Sequence, residues 1–138
     1  MKKKLLTYSK LFFSFYLIYV RIKYKYFLKK KSYSQFSEDI VIKEIFGNFV
    51  GKYVDIGCFH PFKYSNTALL HKNGWRGTNI DLNEKSIDLF NACRPNDLNL
   101  VACLSDRIEI TDVYMNSEFS AINSTYLENF ENFLLKNE

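Results

Sequence analysis

The chain has 138 residues, enough for one domain with its own core but few for a complete doubly wound enzyme. Its net charge of +4 hides two unlike parts. Residues 1–31 hold ten Lys or Arg and no Asp or Glu, whereas residues 32–138 hold nine basic and fifteen acidic side chains. The acidic body argues against a nucleic-acid-binding surface, and three cysteines without a C-x-x-C pair argue against a zinc site and suit a reducing compartment. We therefore divide the chain into a basic aromatic arm, residues 1–31, and a domain, residues 32–138.

The arm carries an apolar run, Leu11–Val20, between two groups of basic residues. The run is too short to cross a bilayer, which takes about 20 residues, and no small-x-small cleavage site follows it. The pattern predicts an uncleaved helix on an anionic membrane surface, which would place the protein in the cytoplasm, peripheral at the inner face of the membrane. The alternatives are a helix that packs on a neighbouring domain or subunit, and an artefact of the start site.

The first element of the domain is a predicted helix from Ser37 to Phe46. Ser37 would cap it, Glu38 and Asp39 suit the positive end of the helix dipole, and Gly47 would end it. Its plainest role is to cover a sheet.

A buried strand is predicted next, from Tyr53 to Cys58, because a short apolar run rich in β-branched residues stands between Gly51 and Pro61. Asp55 interrupts this run near its carboxyl end. A carboxylate is costly to bury without a hydrogen bond, so we expect Asp55 to meet a ligand or a backbone group. Gly57 would let the backbone approach a ligand closely.

A helix and a second strand follow and complete a βαβ unit. The helix is predicted over Ser65–Lys72, with Ser65 as its cap, and the strand over Gly77–Leu82. Asp81 lies 24 residues after Gly57, close to the offset of about 20 at which an acidic residue meets ribose hydroxyls. Because the full G-x-G-x-x-G is absent, a nucleoside-containing ligand without a phosphate bridge is favoured.

A third helix and a third strand are predicted over Glu84–Cys93, capped by Asn83, and Leu98–Leu104. Ser105 and Asp106 follow this strand. If the three strands are parallel, Asp55, Asp81 and Asp106 lie at one edge of the sheet; the alternative makes Asp106 an ordinary turn residue.

The last part of the chain predicts a half-exposed antiparallel strand over Ile108–Tyr114 and a final helix capped by Asn123 or Ser124. Three apolar residues of that helix recur at core-facing spacing: Leu127, Phe130 and Leu134.

Short motifs stand in a fixed order between residues 33 and 107: Tyr33-Ser34-Gln35, Glu38-Asp39, Val54-Asp55-Ile56-Gly57 with Pro61, Ser65-Asn66-Thr67, Gly74-Trp75-Arg76-Gly77, Asn79-Ile80-Asp81-Leu82-Asn83, Arg94-Pro95 and Leu104-Ser105-Asp106. Together they resemble the FkbM-type S-adenosylmethionine-dependent methyltransferases. The chain departs from that family at Ser37, where glycine is frequent, and at Asp81, where glutamate is usual.

The resemblance implies an α/β fold with the Rossmann-like sheet of class I methyltransferases, flanked by helices, and S-adenosyl-L-methionine as cofactor. It implies that Asp81 holds the ribose hydroxyls, that Asp55 and Gly57 meet the methionine side, and that Ser105 and Asp106 border the adenine. Tyr33 and Gln35 would lie near the cofactor, although a polar loop ahead of a capped helix needs no ligand to explain it.

The implied reaction is methyl transfer to a hydroxyl of a small-molecule or glycan acceptor, such as a sugar or glycan precursor, and no metal is expected. No catalytic base is identified: for His60, packing beside Pro61 in a turn is favoured over a role as base. The family's fourth core strand has no match here, so we expect a domain truncated after the third strand. Such a domain would be a truncated, fragmentary or split enzyme that needs a complementing C-terminal half. The alternative is a non-catalytic nucleoside-binding module or decayed fragment.

Overall fold

The computed structural model describes the backbone of residues 2–106, 114–115 and 123–124, and the side chains of residues 10–106. It shows an α/β fold with a three-stranded parallel sheet and flanking helices, compatible with a Rossmann-like fold. The elements in chain order are α1 (Lys2–Phe27), α2 (Glu38–Phe46), β1 (Lys52–Ile56), α3 (Ala68–Lys72), β2 (Arg76–Asp81), α4 (Glu84–Cys93), β3 (Leu98–Val101), β4 (Tyr114–Met115) and β5 (Asn123–Ser124).

The strands of the sheet stand in the order β1-β2-β3 and are parallel. In the register, Ile56 lies opposite Ile80, and Asp81 opposite Val101. Helices α3 and α4 form the two crossovers, as parallel neighbours require. The three predicted strands are present, although β1 and β3 end earlier than expected, at Ile56 and Val101. The predicted burial of β1 is wrong, because Tyr53 alone of its five residues is buried.

Among the described residues, the core lies on one face of the sheet. Alternation along β1 turns Tyr53 inward, where it packs with Leu70 and Trp75, and leaves Val54 and Ile56 exposed on the other face. A larger cluster joins α1, the loop after β1, α3 and α4 through Val20, Tyr24, Tyr33, Phe62, Ala68, Leu69, Leu89 and Cys93.

Helix α1 comprises 26 residues and packs on the domain through one face. Val20 and Tyr24 are buried in the core, and Leu17, Phe27 and Leu28 pack against it. Within residues 2–106, no helix is long and apolar enough to cross a membrane.

The helix ends agree with the sequence where the signals are local. Asn83 caps α4 as predicted, because its Oδ1 accepts a hydrogen bond from the Lys85 N–H at 3.0 Å. Gly47 and Gly74 follow α2 and α3 with φ of 56° and 97°, a backbone region that favours glycine.

Two predicted caps are wrong. Ser37 precedes α2 but has φ of 67°, and its side chain makes no capping hydrogen bond. Helix α3 begins at Ala68 rather than Ser65, and Thr67, which stands at its N-cap, makes no capping bond either. The hydroxyls of Ser65 and Thr67 instead accept hydrogen bonds from the guanidinium of Arg94.

In the C-terminal part, β4 and β5 pair antiparallel. Tyr114, the end of the predicted strand, lies in β4, while residues 108–113 lie outside the described residues. Asn123 and Ser124 form β5, and the predicted helix with Leu127, Phe130 and Leu134 also lies outside the described residues.

Candidate functional site at the carboxyl edge of the sheet

The turn after β1 lies against the end of β2. Gly57 has φ of 69°, a conformation that a residue with a Cβ rarely adopts. The N–H groups of Gly57 and Cys58 both donate to the Ile80 carbonyl, at 2.9 and 3.1 Å. A Cβ built on Gly57 would meet no atom of the described residues within 4 Å. The turn is therefore fixed on the sheet and presents open space beside its glycine.

Asp81 is the last residue of β2 and holds this turn from the other side. Its Oδ2 accepts the Phe59 N–H at 2.8 Å, and its Oδ1 accepts the Asn83 N–H at 2.8 Å. These two bonds orient the carboxylate. Because each carboxylate oxygen can accept two hydrogen bonds, both oxygens retain capacity for a further donor.

Asp55 is half-buried one residue before the end of β1. Its Oδ2 accepts a hydrogen bond from Thr67 Oγ1 at 2.5 Å, so its partner is a side-chain hydroxyl rather than the ligand or backbone group that we expected. Burial raises the pKa of Asp55, whereas the Thr67 bond and the charge of Arg94 lower it and Asp81 raises it. The charge of Asp81 is thus near enough to Asp55 to raise the pKa of Asp55.

Arg94 is fully buried and ties the loop after β1 to the rest of the core. Nη2 donates to the Pro61 carbonyl at 2.6 Å, Nη1 donates to Tyr53 Oη at 2.9 Å and to Thr67 Oγ1 at 3.0 Å, and Nε donates to Tyr24 Oη at 3.2 Å. These bonds join α1, β1, the loop after β1 and α4.

Two carboxylates balance the positive charge of Arg94, and a hydroxyl group bridges each of them to the guanidinium. Thr67 accepts from Arg94 and donates to Asp55, and Tyr53 accepts from Arg94 and donates to Asp97 Oδ2 at 2.5 Å. Burial raises the pKa of Tyr53 far above its usual value. Sequence reasoning missed this network, because an arginine before a proline at a helix end gives no sign that it is buried.

His60 lies buried in the same loop, with its ring edge-on to Phe62 at 4.4 Å between centroids. Nδ1 accepts the Phe62 N–H at 3.3 Å, so in the neutral ring Nε2 carries the proton. Burial, with smaller contributions from Lys63 and Arg94, lowers the pKa of His60 to about 4. Nε2 has no hydrogen-bond partner among the described residues. At neutral pH the ring is therefore a poor base, and its Nε2–H is a donor that no described residue pairs.

The remaining predicted site residues lie in the core or on exposed loops. Tyr33 is a core residue whose N–H donates to Asp39 Oδ2 at 2.8 Å, and Gln35 is exposed in the loop before α2. Ser105 and Asp106 are exposed after β3, and Ser105 Oγ donates to Asp106 Oδ1 at 3.3 Å. The structure therefore brings Asp55, Gly57 and Asp81 together at the carboxyl edge and leaves the other three residues of the predicted cofactor site on exposed loops.

In the part of the chain that the structure describes, no three His, Cys, Asp or Glu side chains form a group that could hold a metal ion. Comparison with known proteins found no relative: no protein-family model, no curated protein and no solved structure matches the chain.

Proposed function

We propose that the chain forms the S-adenosylmethionine-binding part of an FkbM-type methyltransferase. The observation that carries the proposal is the meeting of the open Gly57 turn with Asp55 and Asp81 at the carboxyl edge of a parallel sheet. In open α/β sheets, ligands bind outside the carboxyl ends of the strands.

The residues present fit such a cofactor. The Asp81 carboxylate is oriented by two backbone N–H groups and retains acceptor capacity on both oxygens, which suits the two hydroxyls of a ribose. The open space beside Gly57 suits a group that must approach the backbone, with Asp55 as the nearby carboxylate for the methionine side. Ser105, Asp106 and Gln35 enter through the family resemblance alone.

When bound, the cofactor supplies an electrophilic methyl group on a sulfonium. The protein's part is to hold an acceptor hydroxyl in line with that group and to exclude water. His60 Nε2–H is buried and has no partner among the described residues, so it is not accessible to an acceptor in this structure. Its depressed pKa makes it unsuitable as the proton acceptor. We infer a sugar or glycan-precursor acceptor from the resemblance, and a cytoplasmic location from the free thiols of Cys58, Cys93 and Cys103.

A nucleoside-binding module without catalysis is the second candidate. The described residues favour it in one respect, because the imidazole of the site is a poor base and both edge carboxylates already accept hydrogen bonds.

Calorimetric titration with S-adenosylhomocysteine tests the shared claim of a cofactor site. We expect heat of binding for the wild type, and a loss of about 1 to 3 kcal/mol in Asp81→Asn because charge-assisted hydrogen bonds are weakened. Glu44→Gln removes the same charge from an exposed position of α2 and should leave binding unchanged. Absence of heat at millimolar ligand, or an equal loss in both variants, would refute the site.

Turnover separates the two candidates. Release of S-adenosylhomocysteine in the presence of glycan acceptors, by the chain alone or with a complementing C-terminal half, supports the methyltransferase. Binding without release in both preparations supports the nucleoside-binding module.

A further inference from the structure

Helix α1 has a second apolar face, opposite the one that packs on the core. Along it, Leu11, Phe15, Ile18, Ile22 and Tyr26 recur at steps of three and four residues, which places them on one side of the helix. We call these five residues the outer stripe. Their exposed fractions are 53%, 61%, 56%, 73% and 64%, so each side chain is more than half accessible.

The outer stripe is a continuous surface rather than scattered exposure. From Leu11 to Tyr26 it extends over about 22 Å at a rise of about 1.5 Å per residue. Phe12 and Tyr19, also more than half exposed, widen it along one side. Contiguous apolar surface of this kind on a soluble domain marks an interaction site.

The basic residues along the borders of the outer stripe indicate which kind of partner binds there. At about 100° per residue, Arg21 and Lys25 fall along one border of the stripe and Lys23 along the other, and all three are exposed. No acidic residue occurs in residues 1–31 to neutralise them. A helix with an apolar, aromatic face and basic borders is the type that lies in the interface of an anionic lipid surface.

Further positive charge lies beside the C-terminal end of α1. A cavity of about 450 Å³ is lined there by Lys25 and by Lys72 and Arg76 of the domain, with no Asp or Glu among its lining residues. The basic surface thus continues from the border of the stripe onto the domain. A second copy of the chain is a poorer occupant, because pairing two stripes would bring two arms of ten basic residues each together.

We propose that the outer stripe of α1 docks the protein on an anionic lipid surface, with the helix axis parallel to that surface. The inner face of the same helix stays on the core through Val20, and Tyr24 receives the hydrogen bond from Arg94 Nε. Docking therefore fixes the orientation of the whole sheet toward the lipid. This inference does not depend on the proposed methyltransferase activity.

Flotation of the full-length protein with vesicles tests it. The vesicles contain phosphatidylcholine alone, or phosphatidylcholine with about 30% phosphatidylserine to give an anionic surface. We expect the wild type to float with the anionic vesicles, and less so at high salt, because salt screens the attraction. The double variant Phe15→Gln and Ile22→Gln should lose at least about tenfold in partitioning, since two apolar anchors are removed.

A matched control keeps the test specific. Val41→Gln with Ile45→Gln replaces two apolar residues of similar exposure on α2, and it should float as the wild type does. All four positions are exposed, so unchanged melting temperatures will show that the variants fold.

Several results would overturn the proposal. They are failure of the wild type to float, equal flotation with and without phosphatidylserine, and equal loss in the two double variants. Two more are resistance to both salt and carbonate extraction, and an outer-stripe variant that converts a dimer to a monomer.

Discussion

Replacing Arg94 by methionine should destabilise the domain severely, because the change keeps an unbranched apolar stem but removes the guanidinium. Six hydrogen bonds of 2.6 to 3.4 Å disappear, and the Pro61 carbonyl loses its charged donor. Asp55 and Asp97 then lose the cation that balances them. Breaking a buried ionic network in this way costs about 3 to 5 kcal/mol, a large part of the roughly 5 to 15 kcal/mol that stabilise a domain.

Urea denaturation followed by circular dichroism measures this loss as a change in the free energy of unfolding. Arg76→Met is the matched control, because Arg76 is exposed and its Nη1 donates to the carbonyl of the adjacent Trp75; we expect a change within about 0.5 kcal/mol. A loss below about 1 kcal/mol in Arg94→Met would refute the claim that the network ties the loop after β1 to the rest of the core.

The pH dependence gives a second test of the same reasoning. Burial already raises the pKa of Asp55 and Arg94 lowers it, so Arg94→Met should raise it further. A carboxyl group with a raised folded pKa binds a proton more readily in the folded state, so folding is favoured as the pH falls through that pKa. The deficit of Arg94→Met should therefore shrink from pH 7 toward pH 5. Adding Asp55→Asn should remove most of this pH dependence, and an unchanged slope would contradict the assignment to Asp55.

Three further predictions concern single positions. Gly77→Ala should lower the free energy of unfolding by about 1 to 3 kcal/mol in urea titrations, because a Cβ there overlaps the carbonyl oxygen and ring of Tyr53; a change near zero would contradict the close packing. Ser37→Gly should raise the free energy of unfolding by about 0.5 kcal/mol, since serine at φ of 67° is strained. A loss of stability would contradict this, because the backbone freedom that glycine adds to the unfolded chain would then outweigh the relief of strain. The imidazole NMR signals of His60 and His71 should not titrate between pH 7 and 5.5, because burial lowers each pKa to about 4. Folding stability should then decrease as the pH falls from about 6.5 toward 4, since the unfolded chain binds protons first. A titration midpoint near pH 6.5 for either ring would refute its burial.

Features that depend on neighbouring residues could be predicted from the amino-acid sequence. The strands β1, β2 and β3, the Asn83 cap and the glycines after α2 and α3 follow from local signals, and the structure has each of them. The need for a partner at Asp55 was also readable, because the cost of burying a carboxylate does not depend on the fold.

Contacts between residues far apart in the chain could not be predicted, because they depend on how the chain folds. Thr67 pairs with Asp55 twelve positions away in the chain, and Arg94 reaches Tyr24 across seventy, so no local pattern names these partners. The predicted cap at Ser65 was wrong for the same reason: its hydroxyl accepts from Arg94, and α3 starts later.

The arm shows this limit most clearly, because α1 is apolar on two faces. Periodicity could not tell which face would be buried, whereas packing places Val20 in the core and leaves Ile22 exposed. A helix buries the face that fits the surface it meets, and that surface is assembled from α3, α4 and the loop after β1, none of which is encoded within the arm.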